Sequence, residues 1–323
     1  MLSISRNSRL LASRLWRSAH DQRRWMSVRP SEVGVSSSTA RKKVTIQSLQ
    51  DMKTNKTPIT MITAYDYPNA LACSSNPLVD MTLVGDSLAQ TCLGYSSTTQ
   101  LTLSEMIHHT RAVARGTTHP FLVADMPFGT YHCSLEETTR NAIRLVQEGH
   151  IEAVKMEGGS EITESVRKLT SVGIPVMAHV GLLPQRHVAM SGHKVQGRSM
   201  EGAKRVLKDA IALQEAGAFS IVLEAIPKEL GRFITERLRI PTIGIGAGPW
   251  TDGQVLVWDD IMGTWSGHKA KFARRFGDLK KERDAAVQGY VEAVKSRTFP
   301  NPSSESYLFE ETEWDKFLKD EQE

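Results

Sequence analysis

Eight short apolar runs, each followed by a longer polar or amphipathic stretch, constrain the fold of this chain more than any other feature. The runs span 59–64, 81–86, 121–126, 152–157, 175–180, 219–224, 242–247 and 255–258. Nearly continuous apolar runs are typical of parallel strands that are buried on both faces. Their alternation with helical stretches predicts an α/β fold, and the count of eight favours a closed (β/α)8 barrel over an open doubly wound sheet.

The stretches between the runs carry signals for the starts and ends of helices. Helices are predicted at 104–115, 134–148, 160–172, 200–216, 227–238 and 278–296. Ser104 and Ser134 stand at predicted N-caps, and Glu137 has capping-box spacing from Ser134. Pro227 is a typical first-turn residue, and Gly149 stands where a helix is expected to stop.

The charge of the chain divides it into a basic leader and an acidic remainder. Residues 1–43 hold ten of the 40 Lys and Arg residues but only two of the 36 acids, which leaves 30 basic and 34 acidic residues beyond them. The first 20 residues lack acids and place Ile4, Leu11 and Leu15 opposite Arg6 and Arg17 on a helical wheel. This composition favours a mitochondrial presequence, and hence a matrix enzyme, over a disordered basic tail.

Three parts of the chain are therefore predicted. Residues 1–43 form the presequence and a flexible leader, 44–298 form the catalytic barrel, and 299–323 form an acidic tail without a chemical role. A basic pI that belongs to the leader gives no reason to expect nucleic-acid binding. No apolar run approaches the roughly 20 residues of a membrane-spanning helix. The three cysteines (Cys73, Cys92 and Cys133) form no CxxC pair, which predicts neither a disulfide framework nor a zinc site.

The ends of the predicted strands carry acidic side chains. Asp86, Asp125, Glu157 and Glu224 each end an apolar run. All strand ends of this kind meet at one face of a βα barrel, where active sites lie. Taken singly, an Asp at a strand end is more often a helix cap than a ligand, but Glu is not a favoured cap. Four converging carboxylates would repel one another without a cation, and oxygen ligands without cysteine suit Mg²⁺.

Two basic side chains accompany these carboxylates. Lys155 is two residues from Glu157, so the two side chains share one face of their strand. His179 ends the fifth run. A histidine in this place is as compatible with a satisfied core residue as with a contact to substrate. The glycine-rich segment 244–248 matches neither the dinucleotide fingerprint nor the P-loop.

Several motifs resemble one enzyme family. The segments include LVGDSLA (83–89), ADMPFGTY (124–131), VKMEGG (154–159), MAHVGLLPQ (177–185), HKVQGR (193–198) and LEAIP (223–227). In this order they resemble the ketopantoate hydroxymethyltransferases. The resemblance extends over about residues 44–298.

The resemblance implies a barrel of the phosphoenolpyruvate/pyruvate type that binds Mg²⁺. Its members transfer a hydroxymethyl group from 5,10-methylenetetrahydrofolate to 2-oxoisovalerate, giving ketopantoate. By their places in the matching motifs, Asp86, Asp125 and Glu157 correspond to residues that bind the metal ion. Glu224 corresponds to the general base. Ser87, Lys155 and His179 correspond to substrate contacts, together with the two aspartates. The resemblance also implies a homo-oligomer, a decamer in many members.

Two alternatives remain open at this point. A lyase of the same barrel superfamily would use a similar Mg²⁺ and oxo-acid site, but the KKCGH-type loop of such lyases is absent from the sequence. A catalytically silent barrel could instead act as a scaffold. All the expected carboxylates are present, which favours an enzyme.

Overall fold

The structure is a computed structural model that describes residues 41–265 and 269–322. It contains a closed barrel of eight parallel strands that follow one another in chain order. The strands are β1 (Ile59–Thr63), β2 (Met81–Val84), β3 (Phe121–Asp125), β4 (Ala153–Glu157), β5 (Val176–Gly181), β6 (Ser220–Glu224), β7 (Thr242–Ile245) and β8 (Gly253–Leu256). Each predicted run contributes a strand, so the predicted barrel is confirmed.

Eleven α-helices occur in the described ranges. They are α1 (Ile46–Thr54), α2 (Tyr67–Ser75), α3 (Leu88–Thr91), α4 (Leu103–Gly116), α5 (Leu135–Gly149), α6 (Thr163–Ser171), α7 (Met200–Glu215), α8 (Lys228–Arg237), α9 (Trp258–Met262), α10 (Leu279–Lys295) and α11 (Glu311–Asp320). All six predicted helices are present. The others are short or lie outside the alternating pattern, which explains why periodicity did not reveal them.

Some predicted boundaries are wrong. The N-cap of α4 is Thr102 rather than Ser104, because Thr102 forms a capping box with Glu105. Pro227 is the cap residue before α8 rather than a residue of its first turn. β8 lies two residues earlier than the predicted run 255–258, since the chain turns into α9 at Val257.

The connection between β7 and β8 also differs from the expected alternation of strands and helices. Residues 246–252 join the two strands without a helix. The two strands still pair in parallel, with Ile243 opposite Gly253 and Gly244 opposite Gln254. The barrel is thus closed at this point by a short loop that reaches from its carboxyl end back to its amino end.

Alternation along the strands divides the apolar residues into two cores. Residues such as Val123, Ala153 and Met177 belong to a core inside the barrel, to which α1 contributes Leu49. Residues of the opposite parity, such as Val154, pack against the surrounding helices. A polar residue that lies two positions after one of these interior residues on the same strand therefore also points into the barrel, nearer its carboxyl end than the apolar layer.

The C-terminal helices differ from those around the barrel. Neither α10 nor α11 contains a buried side chain. In α10 the side chains of Val287 and Tyr290 are both 60% exposed. Within the described ranges, no helix combines the length and the apolar character needed to cross a membrane. Of the predicted presequence and leader at 1–43, residues 1–40 lie outside the described residues, and the domain boundaries stay predictions.

Candidate active site

Strand register brings the predicted site residues together at the carboxyl end of the barrel. Asp125 pairs with Lys155 across β3 and β4, and Glu157 pairs with His179 across β4 and β5. One cavity of about 220 Å³ is lined by all seven predicted residues, namely Asp86, Ser87, Asp125, Lys155, Glu157, His179 and Glu224. We call these seven residues the acidic ring.

An ion pair links Asp125 to Lys155. Lys155 Nζ lies 2.9 Å from Asp125 Oδ1, and both side chains are buried. The backbone N–H of Asp86 donates to Asp125 Oδ2 at 2.9 Å. Asp125 is thus held on one side by a fixed positive charge and on the other by the chain turn that carries Asp86.

His179 connects this lysine to the glutamate at the end of β6. Lys155 Nζ donates to His179 Nδ1 at 3.1 Å, and His179 Nε2 lies 3.3 Å from Glu224 Oε2. An ammonium group can only donate, so Nδ1 accepts and a neutral imidazole carries its proton on Nε2. Burial, reinforced by the charge of Lys155, lowers the pKa of His179 and favours this neutral form. The Nε2 proton is therefore available to the Glu224 carboxylate.

Burial, and after it the charges of neighbouring carboxylates, raises the pKa values of two carboxyl groups in the acidic ring. Burial, followed by the charge of Asp125, raises the pKa of Asp86 to about 7. Burial and the charge of Asp86 raise the pKa of Glu157 well above its ordinary value. Burial alone would lower the pKa of Lys155, but the three neighbouring carboxylates outweigh it and raise this pKa. One lysine thus does not balance the charge that the ring would hold if all four carboxyl groups were ionised.

Ser87 is positioned by the hydroxyl group of Tyr65, which is itself held by Thr63. Its Oγ lies 2.7 Å from Tyr65 Oη, which in turn accepts a hydrogen bond from Thr63 Oγ1 at 2.9 Å. Tyr65 is buried, and its burial raises the pKa of its hydroxyl. The hydroxyl therefore stays protonated and can donate to Ser87 at any ordinary pH.

Gln185 is a site residue to which the sequence motifs assigned no role. Its backbone N–H donates to Glu157 Oε2 at 3.0 Å, and its Nε2 donates to Asp86 Oδ2 at 2.9 Å. Its Oε1 accepts a hydrogen bond from Tyr131 Oη at 2.6 Å. Gln185 ends the MAHVGLLPQ segment, which was the available signal. No spacing rule shows that a residue four positions beyond a strand reaches back across the barrel mouth.

Gly181 allows β5 and β6 to approach closely beside Glu224. It has a φ of +98°, and a Cβ at this position would lie 2.2 Å from the carbonyl oxygen of Glu224. That conformation favours glycine, and the space is occupied by backbone that cannot move aside. The absence of a side chain at Gly181 thus helps to fix the strand that carries Glu224.

The oxygen atoms of Asp86 and Asp125 fit the ligand preference of Mg²⁺. Asp125 Oδ1 is buried and accepts no well-aligned hydrogen bond within the described ranges, although Lys155 Nζ is near. In those same ranges, no three His, Cys, Asp or Glu side chains are arranged as a ready metal-binding group. A site of two carboxylates suits Mg²⁺, which retains several waters and takes further oxygens from a substrate.

Comparison with known proteins places the chain in a family. The family model described as "Ketopantoate hydroxymethyltransferase" matches residues 43–302. The chain belongs to the ketopantoate hydroxymethyltransferase family. It is therefore an enzyme, and the alternative of a catalytically silent scaffold is wrong.

Bacterial and fungal relatives agree with this assignment. A relative from Deinococcus radiodurans, named 3-methyl-2-oxobutanoate hydroxymethyltransferase, is 48% identical over 82% of this chain and 93% of its own length. A relative of the same name from Pelobacter propionicus is 51% identical over 81% of this chain and 97% of its own. Another relative of that name, from Emericella nidulans, is 44% identical over 84% of this chain and 78% of its own length.

Solved structures of lower identity share the fold. Phosphonopyruvate hydrolase, in a crystal structure with oxalate and Mg²⁺, has a TM-score of 0.53 and 14% identity, over 86% of this chain and 96% of that one. A 2,3-dimethylmalate lyase of the PEP mutase/isocitrate lyase superfamily has a TM-score of 0.53 and 16% identity, over 82% of this chain and 89% of that one. These similarities support the predicted (β/α)8 barrel fold.

Proposed function

We propose that this enzyme transfers a hydroxymethyl group from 5,10-methylenetetrahydrofolate to 3-methyl-2-oxobutanoate. The product would be 2-dehydropantoate, an intermediate of pantothenate and coenzyme A biosynthesis. Family membership supports the reaction, and the chain of contacts from Asp125 through Lys155 and His179 to Glu224 supports the mechanism. In that chain the Lys155 ammonium and the Glu224 carboxylate lie on opposite sides of the His179 ring, and both line one cavity.

Glu224 is the proposed base for the C3 proton of the oxo acid. The C3–H bond breaks and its proton passes to Glu224. C3 forms a bond to the one-carbon unit, and the bonds from that carbon to N5 and N10 of the folate break. Water supplies the hydroxyl group of the product, and its second proton and the C3 proton go to the two nitrogens, which releases tetrahydrofolate. His179 would orient the Glu224 carboxylate, whose Oε2 lies 3.3 Å from Nε2, because the Lys155 ammonium fixes the other ring nitrogen as an acceptor.

Lys155 and Ser87 are the proposed contacts for the oxygens of the oxo acid. The Lys155 ammonium lines the same cavity as Glu224 and would stabilise the negative charge that develops on the oxo oxygen as the proton leaves. Ser87 is oriented by Tyr65 and faces the same cavity. The two side chains would thus fix the plane of the substrate relative to Glu224.

Asp86 and Asp125 are the residues proposed to hold Mg²⁺ directly. Glu157 would act partly through water, because one of its carboxylate oxygens already accepts from the Gln185 N–H. The ion would supply Lewis-acid polarisation of the oxo acid and would offset the excess negative charge of the acidic ring.

The remaining proposals concern assembly and location. A homo-oligomer, a decamer by family resemblance, is supported by the apolar side chains that α10 leaves exposed, such as Val287 and Tyr290. The basic, acid-poor leader supports import into the mitochondrial matrix.

Exchange of the C3 proton tests the central assignment. Wild-type protein with Mg²⁺ should exchange the C3 proton of 3-methyl-2-oxobutanoate for deuterium and should form 2-dehydropantoate when the folate is added. Glu224→Gln should slow exchange by about 10²–10⁴-fold, the usual contribution of a general base. Glu229→Gln, an exposed position on α8, is the matched control. Wild-type exchange rates in Glu224→Gln would show that another group is the base.

A further inference from the structure

Gln185 ties together the ends of three neighbouring strands. It follows β5, and it is only 4% exposed. Its Nε2 donates to the Asp86 carboxylate after β2 and, at 3.0 Å, to the carbonyl oxygen of Met126 after β3. Its backbone N–H donates to Glu157 at the end of β4. One residue outside the acidic ring thus contacts two of the three carboxylates proposed for the metal site.

The orientation of the Gln185 amide is determined by its surroundings. The carbonyl oxygen of Met126 can only accept a hydrogen bond, so the amide atom that faces it is the nitrogen. At the other side, Oε1 accepts from Tyr131 Oη at 2.6 Å. Burial raises the pKa of the Tyr131 hydroxyl, which therefore stays protonated and donates. The amide is thus held at both ends, with its donors toward Asp86 and Met126.

N–H donors occupy one oxygen on each of the three metal-site carboxylates, those of Asp86, Asp125 and Glu157. Gln185 donates to Asp86 Oδ2 through its side chain and to Glu157 Oε2 through its backbone. The backbone N–H of Asp86 donates to Asp125 Oδ2. In the part of the chain that the structure describes, no hydrogen bond reaches the other oxygen of Asp86 or of Glu157. Gln185 therefore leaves one oxygen of each of its two partners for a cation.

This arrangement of oxygens suits a small cation better than a large one. A carboxylate with one oxygen engaged by an N–H offers a metal ion its other oxygen, whereas bidentate binding requires both. Mg²⁺ takes ligands in a near-ideal octahedron at about 2.0–2.1 Å, with one or two carboxylates and several waters. Ca²⁺ takes about 6–8 oxygens at about 2.3–2.6 Å and also uses carboxylates through both oxygens. Restricting each carboxylate to one oxygen therefore favours Mg²⁺.

We propose that Gln185, held in place by Tyr131, determines a preference of the metal site for Mg²⁺ over Ca²⁺. This rests on the function proposed above, which places the ion at Asp86 and Asp125. Gln185 occupies one oxygen of Asp86 and one of Glu157, and so restricts both carboxylates to single-oxygen contacts. It is not among the described residues that line the cavity of the acidic ring. Gln185 is therefore a positioning residue that acts through the metal ligands.

Calorimetric titration of the full chain with Mg²⁺ and with Ca²⁺ tests this role, with and without saturating 3-methyl-2-oxobutanoate. Gln185→Met keeps the approximate length of the side chain and the backbone N–H, but removes the donor to Asp86. Its affinity for Mg²⁺ should fall by about tenfold, the lower end of the usual effect of losing a hydrogen bond to a metal ligand. Its affinity for Ca²⁺ should be retained, so that the ratio of the two Kd values shifts about tenfold toward Ca²⁺.

Gln214→Met is the matched control. Gln214 on α7 is also buried, and its Oε1 accepts hydrogen bonds from the backbone N–H groups of Arg239 and Ile240. Both variants lose a buried amide, so both should melt at a lower temperature than wild type without metal. Only Gln185→Met should change the ratio of the Kd values. If Gln185→Met weakened the binding of both ions equally, its role would be structural and the proposal would be overturned.

Tyr131→Phe is a second test that leaves Gln185 in place. The Gln185 amide loses the donor to its Oε1 and with it part of its fixed orientation. The ratio of the Kd values should shift in the same direction as in Gln185→Met, by a smaller factor. This variant also decides the question if Gln185→Met does not fold, because an unchanged ratio in Tyr131→Phe then overturns the proposal.

The outcomes separate this inference from the function on which it rests. If wild-type protein prefers Mg²⁺ and both variants keep that preference, Gln185 does not determine it and the metal site stands. If wild-type protein binds Ca²⁺ as tightly as Mg²⁺, the selectivity is absent and the metal site again stands. If wild-type protein binds neither ion, with or without the oxo acid, the metal site itself is wrong.

Discussion

At the scale of single residues, parity along the strands determines the chemistry of the cavity. Asp125, Lys155 and His179 have the same parity as the apolar interior residues below them, so all three point inward. Their burial makes each charge depend on its neighbours. Removing one of them therefore changes the protonation and the position of the others.

Asp125→Asn provides a test of the metal site that does not depend on turnover. Mg²⁺ at about 100 times its Kd should stabilise wild-type protein by roughly 2.7 kcal/mol, and the melting temperature should rise accordingly. The variant should lose most of this rise, since a neutral amide is a weaker ligand and leaves Lys155 with less compensation. Melting curves with and without Mg²⁺ measure the difference.

The increment due to Mg²⁺ is the decisive quantity in that experiment. Asp125→Asn is expected to melt lower even without metal, because it breaks a buried ion pair. Asp315→Asn, an exposed change on α11, should keep the full increment. A full increment in Asp125→Asn would remove Asp125 from the metal site.

The sequence predicted the residues of the ring better than the contacts that orient them. Strand ends and motifs identified all seven ring residues, since five lie at or just beyond the end of a strand and Lys155 and His179 lie two residues before one. Gln185 and Tyr65 were not given roles, although both contact ring residues. Such contacts join residues distant in the chain, and their geometry follows from loop conformations that periodicity does not encode.

At the scale of elements, the start of α4 shows how one carboxylate organises a loop. Glu105 accepts hydrogen bonds from the Thr102 backbone and hydroxyl and from the Tyr95 hydroxyl. These contacts, that of Tyr95 foremost, lower the pKa of Glu105. A true capping box at Thr102 outweighs the weaker signal at Ser104, which explains the misplaced helix start.

Glu105→Gln should reveal this contribution through its dependence on pH. A lowered pKa in the folded state means that the stabilisation is fully present above the unfolded value of about 4.3 and is lost as the pH falls through the folded value. The variant should be less stable by about 0.5 kcal/mol at neutral pH, a small value because solvent screens this partly exposed group. The difference should disappear in acid.

Denaturant unfolding at pH 7 and at successively lower pH values measures that difference. Glu201→Gln is the matched control, since Glu201 also lies in the first turn of its helix but has no capping-box partner. If the stability gap between wild type and Glu105→Gln stayed constant down to pH 3, the charge of Glu105 would not be its source.

At the scale of the whole molecule, the barrel and the segments outside it play different parts. The family match ends at residue 302, and α11 beyond it contains no buried side chain. A protein limited to residues 43–302 should therefore keep the kcat and KM of the full chain. Steady-state assays of both proteins test this, and a large loss of kcat in the shorter one would give the acidic tail a role in catalysis.

The fold was more predictable than the assembly. Eight runs were sufficient to predict the barrel, because burial on both faces leaves a clear apolar signal. No helix was predicted between the runs 242–247 and 255–258, although a (β/α)8 pattern calls for one there, and the loop of seven residues between β7 and β8 contains none. Light scattering of the purified protein, in which we expect a homo-oligomer, would show whether the exposed face of α10 is covered by another subunit.

Gly181 has a consequence for how this gene can vary. Any single-base missense change in a glycine codon introduces a residue with a Cβ, and at this position that atom would collide with the carbonyl of Glu224. No codon that differs by one base therefore encodes a tolerated replacement for Gly181. Mutational libraries of the enzyme should be depleted of every substitution at this position, including those that leave all charged groups unchanged.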